Sequence, residues 1–238
     1  MSKTHNFWDV VKERRTYYQL NKEAPVSDER IEQLVKEAVL NVPSAFNSQT
    51  ARLVVLLREE HDLFWDLVKD ALKPIVPAAQ FETTEKKLNG FKAAYGTVSV
   101  THTLCHLPLP FHHLRHPARP KRLTTSQILF FEDTATVQTL QKNFALYADK
   151  FPQWSEHTSA MHQFVLWAGL ENEGFGANLQ HYNPVVDAAA QAQWDVPAAW
   201  SLKAQLVFGG RAGEPGPKTF QPLEERLFVH GREGPFKN

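Results

Sequence analysis

The stretch SDERIEQLVKEAVLNVPSAFNSQTARLVVLL, Ser27 to Leu57, constrains the fold more than any other part of the chain. Ser27 has the chemistry of a helix N-cap, and Asp28 and Glu29 place negative charge in the first turn. Ile31, Leu34, Val35, Ala38 and Val39 then form one apolar stripe at helical spacing. Pro43 stops this helix, the polar loop SAFNSQTA follows, and RLVVLL is a continuous apolar run suited to a strand covered on both faces. A helix with one stripe to bury, followed by such a strand, requires layers of helix packed on sheet.

The rest of the chain repeats this mixture. Phe7, Val10 and Val11 fall at helical spacing before Arg14 and Arg15. Glu59 to Leu72 reads as a helix burying Leu63, Leu67, Val68 and Ala71, and FETTEKKLNG as a second helix closed by its Asn-Gly pair. ILFFED predicts a strand end leading into a helix capped near Thr134. Ser155 to Glu173 predicts a long helix with GFG at its end, and a further helix lies around Pro184 to Trp194 before the strand LKAQLVFGG. GGRAGEPGPK then opens a C-terminal arm in which PLEERLFV is an extended segment reaching another surface. Without internal repeats, the expectation is one α+β domain over residues 1–238, a central mixed β-sheet flanked by helices.

Composition excludes several classes. A hydrophobic content of 42%, a charged content of 22% and a formal net charge of zero are those of a globular protein, and they argue against nucleic acid as a partner. No apolar run approaches the roughly 20 residues of a spanning helix, and MSKTHNFWDVVKERR lacks the order of a secretory signal. The expectation is a cytoplasmic protein, with the nucleus as a second compartment and no membrane partner. The single cysteine allows neither an intramolecular disulfide nor a four-cysteine zinc module.

Three local patterns carry ligand chemistry. RRTYY offers two guanidiniums and a hydroxyl beside a helix end, a combination that holds a phosphate dianion. PSAFNSQ offers a hydroxyl and two amides on a post-helix loop, suited to the polar edge of a planar heterocycle. ENEGFGANLQ offers glycines where backbone approaches a ligand closely. Each also has a purely structural reading: cations answering the helix dipole, a solvated loop, and a helix C-cap.

In order and spacing these patterns resemble the nitroreductase family over nearly the whole chain. More narrowly, ERRTYY, SDERI, VPSAFNSQTARLVVLL, KLNGFKAAYGT, LFFED, GANLQHYNP and LKAQLVFG resemble its fungal and bacterial subgroup named after fatty-acid-repression mutants. The resemblance implies the nitroreductase fold, FMN as cofactor and a homodimer with each flavin at the subunit interface, reached by the C-terminal arm. It also implies two-electron reduction by NADH or NADPH, followed by transfer to nitroaromatic or quinone-like acceptors in an oxidative-stress or lipid-signalling setting. On this resemblance Arg14, Arg15 and Thr16 take the FMN phosphate and pyrimidine edge, and Ser44, Asn47 and Gln49 reach the flavin of the partner subunit. Glu173, Gly174 and Gly176 set backbone near flavin N5, and Lys218 approaches the phosphate from the arm. The flavin then carries the redox chemistry and no side chain is needed as a catalytic acid or base.

The chain departs from that pattern at Ala45, where relatives carry a second serine, and at Tyr18 and Phe220, where they carry cations. His157, His162 and His181 lack a nucleophile or partner that would mark them as catalytic. Three alternatives stay open: a stress-linked flavin reductase with another acceptor, a flavin-binding regulatory protein with little turnover, and a histidine-rich metal binder.

The metal reading rests on THTLCHLPLPFHHLRHPARP, which holds five of the eleven histidines, the cysteine and four of the fifteen prolines. His102, Cys105, His106, His112, His113 and His116 do not form paired ligand sets, so no metal is assigned. In the subgroup that the chain resembles, AYGT runs straight into LFFED. Here residues 98–127 intervene, and no Asp or Glu occurs between Lys86 and Phe131. Val98 is encoded by GTN and Gln127 can be CAG, so residues 98–127 have the edges of an intron translated in frame. The expectation is a foreign insertion looping from the domain.

Overall fold

A computed structural model describes residues 6–93, 126–231 and 233. The first helix, α1, is Phe7–Glu13, capped by the Asn6 side chain, which accepts from the Trp8 N–H at 2.7 Å. The helix expected after Ser27 is α2, Asp28–Asn41, and Ser27 Oγ accepts from Arg30 N–H as its cap. Ile31, Val35 and Ala38 are buried and Leu34 packs beside them, whereas Val39 and Leu40 are exposed. Val39 lies at the margin of the stripe, beyond what the neighbouring layer covers.

Strand β1 is Leu20–Asn21, and β2 is Ala51–Leu57. The other strands are β3 (Ser126–Asp133), β4 (Gly176–Gln180) and β5 (Trp200–Arg211). The sheet runs in the order β1-β5-β3-β2, with β4 also paired to β5. Every ladder between these strands is antiparallel. Among the described residues the parallel component of the expected mixed sheet is confined to one isolated bridge between Thr16 and Ala177.

Five more helices cover the two faces: α3 (Glu59–Leu72), α4 (Ala78–Ala93), α5 (Thr134–Asn143), α6 (Phe151–Asn172) and α7 (Asp187–Gln193). On one face Phe64, Trp65 and Val68 of α3, Leu88 and Phe91 of α4, and Ala190 of α7 pack on Leu56, Leu129 and Val207. On the other, α2 joins Leu166 and Leu170 of α6 over Ile128, Phe130, Leu206 and Phe208. The side chains of β3 therefore alternate between two apolar layers, which is why ILFF is apolar throughout.

Two expectations fail locally. Asn89-Gly90 does not close α4, which continues to Ala93. The buried side chains of Leu88 and Phe91 flank the pair, and their packing outweighs the helix penalty of glycine, about 1 kcal/mol. The glycine-rich end of α6 runs directly into strand β4, unanticipated because Asn178 and Gln180 are polar yet point inward. Asn178 Nδ2 donates to the Tyr17 carbonyl at 2.8 Å and Gln180 Nε2 to Asn178 Oδ1 at 2.9 Å.

Most of the stretch 98–127, with its histidines and Cys105, lies outside the described residues. Its last two residues, Ser126 and Gln127, open β3 and pair with Leu57 and Leu56 on one side and with Phe208 and Val207 on the other. Beyond Ala212 the described residues carry no strand or α-helix, and Phe220, Leu227, Phe228 and Val229 are exposed. Among the described residues no helix is long and apolar enough to cross a membrane.

Candidate functional site

The two arginines leave α1 at its C-terminus, Arg14 being the capping residue whose N–H donates to the Val10 carbonyl. The following backbone is fixed at three points. Arg15 N–H donates to Glu171 Oε2 at 2.9 Å, Tyr17 N–H to the Ala177 carbonyl at 2.9 Å, and the Tyr17 carbonyl accepts from Asn178. Thr16 thus lies alongside β4. The Arg15 guanidinium donates to the carbonyl of Gly216, which brings the C-terminal arm, with Lys218 two residues further on, to the same place. Lys218 Nζ lies 5.3 Å from the Phe220 ring centroid.

Arg14 stacks its guanidinium 4.4 Å from the ring centroid of Trp167, and the Trp167 indole donates Nε1–H to Glu171 Oε1 at 2.7 Å. Both oxygens of Glu171 are therefore engaged, one by the backbone of Arg15 and one by the ring under Arg14. Arg211 closes the other side, donating to the carbonyls of Phe175 (2.9 Å) and Glu171 (3.1 Å) and lying over Tyr17. Glu171 is only 6% exposed, and burial pushes its carboxyl up to about 7 against the opposing pull of the Arg15 N–H, the Trp167 indole, Arg211 and Arg14. Among the described residues no carboxylate forms a salt bridge with Arg14, Arg15 or Lys218. Arg14, Arg15 and Arg211 thus gather around the buried carboxylate of Glu171, an excess of positive charge with the chemistry of an anion site.

The end of α6 explains the GFG segment. Gly174 N–H donates to the Glu171 carbonyl at 3.0 Å and Phe175 N–H to Leu170 at 3.2 Å, with φ at +96° for Gly174: a Schellman cap. The Glu173 carboxylate accepts from Arg30 Nη2 at 2.6 Å and Nε at 3.0 Å. At Gly176 an added Cβ would fall 2.8 Å from Leu20 Cδ2 and 3.0 Å from Tyr17 Cβ, so its missing side chain is what lets Tyr17 and Leu20 pack against β4.

The Ser44–Gln49 loop is built separately. Ser44 Oγ accepts from Gln49 N–H at 3.0 Å across a 3-10 turn, Ala45–Asn47, and Phe46, Asn47 and Gln49 all have φ near +50°. The Phe46 ring anchors the turn among Phe144, Tyr147, Phe151 and Trp154 at centroid distances of 5.1–5.7 Å. Asn47 and Gln49 are left exposed.

The loop thus rests on the N-terminal end of α6, whereas Arg14 rests on its C-terminal end. Trp154 and Trp167 are thirteen residues apart, about 20 Å along a helix axis. Arg14, Arg15, Thr16 and the arm of Lys218 come together with the cap at Gly174; Ser44, Asn47 and Gln49 do not join them in one protomer. Between α2 and α6 lies a groove of about 420 Å³ lined by Leu34, Ala38, Val42, Val165, Leu166 and Gly169. Sequence reasoning missed Glu171, Trp167 and Arg211. Trp167 and Glu171 do stand four apart on one helix face, a local signal that could have joined them.

A sequence model of the Nitroreductase family matches residues 11–210. Nitroreductase FRM2 of Saccharomyces cerevisiae is 33% identical over 222 residues, spanning 92% of this chain and 95% of FRM2. A second protein of that yeast, HBN1, is 30% identical over 230 residues, 96% of this chain and all of HBN1. Among solved structures, nitroreductase CinD from Lactococcus lactis in complex with nicotinic acid has a TM-score of 0.75 at 39% identity, covering 94% of this chain and 99% of CinD. CinD in complex with 4-nitrophenol has a TM-score of 0.74 at 38% identity and the same coverage.

Proposed function

Because the chain belongs to the nitroreductase family, we propose that it is an FMN-dependent NAD(P)H oxidoreductase that reduces nitroaromatic or quinone-like acceptors. The observation that carries this reading is the convergence of Arg14, Arg15 and the arm bearing Lys218 on one place, where among the described residues none of the three forms a salt bridge. That donor set fits the phosphate of FMN, which needs charge-assisted hydrogen bonds from more than one side. Thr16 adds a hydroxyl. Bound FMN would supply the two-electron chemistry, accepting hydride from NADH or NADPH and passing it to the acceptor.

The protein's part is to bind, orient and exclude. Asn47 and Gln49 lie about 20 Å from Arg14 along α6, on the outside of the protomer. They therefore serve a flavin bound by a second copy, and the functional unit is a homodimer with two shared sites. The exposed Val39, Leu40, Val165 and Phe228 suit burial in such an interface. Glu173, Gly174 and Gly176 then form the backbone wall beside the ring. CinD, seen in complex with nicotinic acid and with 4-nitrophenol, supports a nicotinamide donor and a nitroaromatic acceptor.

The purified protein is expected to be yellow, to bleach anaerobically with NADH or NADPH, and to recover its colour with 4-nitrophenol. A colourless protein would overturn the flavin reading. Bound flavin that neither donor bleaches would replace the enzyme with a flavin-binding regulator.

A further inference from the structure

We propose that Glu171 is a positioning residue for the flavin phosphate, holding Arg14 and Arg15 in their anion-binding arrangement. The inference rests on the FMN reading and adds a residue to it. One carboxylate oxygen takes the Arg15 N–H at 2.9 Å, fixing the backbone from which that guanidinium projects; the other takes Trp167 Nε1 at 2.7 Å, fixing the ring on which Arg14 lies. A single buried side chain thereby sets both cations.

Burial favours the neutral form of this carboxyl, which stands at about 7. The charged groups around it are Arg14 and Arg15 after α1, Arg211 at the end of β5, and, two residues on, Glu173 paired with Arg30 from α2. A phosphate held by the two arginines adds negative charge beside Glu171 and favours its protonated form. Phosphate binding then takes up a proton, and affinity falls as pH rises through the range in which Glu171 ionises. Above about pH 6.5 the phosphate monoester is already largely dianionic, so its own titration does not mask the effect.

The test is a fluorescence titration of apoprotein with FMN and with riboflavin, which lacks the phosphate, between about pH 6.5 and 8.5. The wild-type FMN dissociation constant is expected to rise several-fold across that range while that of riboflavin stays level. Glu171→Gln, whose amide nitrogen cannot accept one of the two N–H groups, should weaken FMN about tenfold, remove the pH dependence and leave riboflavin within about twofold. Glu171→Asp should restore the pH dependence in part. Trp167→Phe, which keeps the ring but removes one hydrogen bond to Glu171, should move the pH midpoint upward and provides a milder variant if Glu171→Gln folds poorly. Unchanged FMN affinity and pH profile in Glu171→Gln, or equal loss of FMN and riboflavin, would overturn the proposal. A wild-type protein that binds riboflavin and FMN equally would also overturn it, and one that binds neither would remove the flavin reading itself.

Discussion

Phe46 stacks on Trp154, ring centroids 5.6 Å apart and planes within 20°, from a backbone position with φ of +57°. A bulky side chain in the left-handed region costs about 1–2 kcal/mol, so the aromatic contacts offset backbone strain in the loop that presents Asn47 and Gln49. Trp154→Leu, which removes the pairs with Phe46, Tyr147 and Phe151, should lower the melting temperature by about 3–12 °C in a chain of this size. On the proposed function flavin affinity should fall too, and equally for FMN and riboflavin, because that reading assigns the loop to the ring and not to the phosphate. Phe46→Gly, which removes the strain together with the ring, should cost less stability than Trp154→Leu. A larger loss in Phe46→Gly would show that no strain is held there.

Two glycines make opposite predictions. At Gly176 a methyl group would meet Leu20, Tyr17 and Arg211 at 2.8–3.1 Å, whereas at Gly90, on the exposed side of α4, nothing lies within 4 Å. Gly176→Ala should destabilise by about 1–3 kcal/mol through overpacking. By displacing Tyr17 and Arg211 it should also weaken FMN binding. Gly90→Ala should stabilise by about 0.5–1 kcal/mol through helix propensity alone. Denaturant melts of the two variants check both signs, and a neutral Gly176→Ala would mean that β1 and β4 are not held as closely as they are placed.

Legibility from sequence followed the range of the interactions. The cap at Ser27, the stripe from Ile31 and the break at Pro43 are local, and they could be read along the chain. The strand β4 could not, because its inward residues Asn178 and Gln180 satisfy each other and Tyr17, and polar side chains erase the apolar pattern. The site divided the same way. Arg14 and Arg15 announce an anion by adjacency, but the Glu171 carboxylate meets the Arg15 N–H across 156 residues, and nothing local in the sequence joins them.

His61 and Glu171 give stability two pH dependences of opposite sign. His61 is fully buried, its Nε2 3.1 Å from the Phe91 carbonyl and its Nδ1 without a partner, and burial pushes its imidazole down to about 3. Between there and the unfolded value of about 6.5 the unfolded chain binds the extra proton. The stability His61 allows is thus present above about pH 6.5 and lost as pH falls, by about 1.4 kcal/mol per unit. Glu171, raised to about 7, reverses this: its contribution is present below about pH 4.5 and lost as pH rises through 7. From about pH 4.5 to 6.5 the two offset each other. His61→Gln, whose amide can still donate to Phe91, should expose the Glu171 slope, so that urea melts show stability falling with pH relative to wild type by about 2 kcal/mol over that window. Parallel wild-type and variant profiles would contradict the buried neutral imidazole.

Gln127 bears on residues 98–127. It is fully buried in the middle strand of the sheet, between Leu56 and Val207, and neither its amide oxygen nor its amide nitrogen has a partner. Such a group costs about 1–3 kcal/mol. The described residues that flank the undescribed stretch come close to the place where β2 meets α3: the Phe91 carbonyl near the end of α4 touches His61 in the first turn of α3, and Ser126 pairs with Leu57 just before that helix. Joining Thr97 to Ile128 would place a β-branched residue where Gln127 lies, put Gly96 at Ser126, and leave Ala94 and Tyr95 to close the short gap. Loop closure adds about 2 kcal/mol for the longer excursion. We therefore expect the chain without residues 98–127 to fold about 3–5 kcal/mol more stably than the full chain and to bind FMN at least as tightly. Gln127→Met in the full chain, matched in shape and free of the amide, should recover about 1–3 kcal/mol of that difference. A shortened chain that is less stable, or a Gln127→Met variant that gains nothing, would show that the segment belongs to the fold; genomic bases other than GT and AG at its edges would remove its origin as an intron.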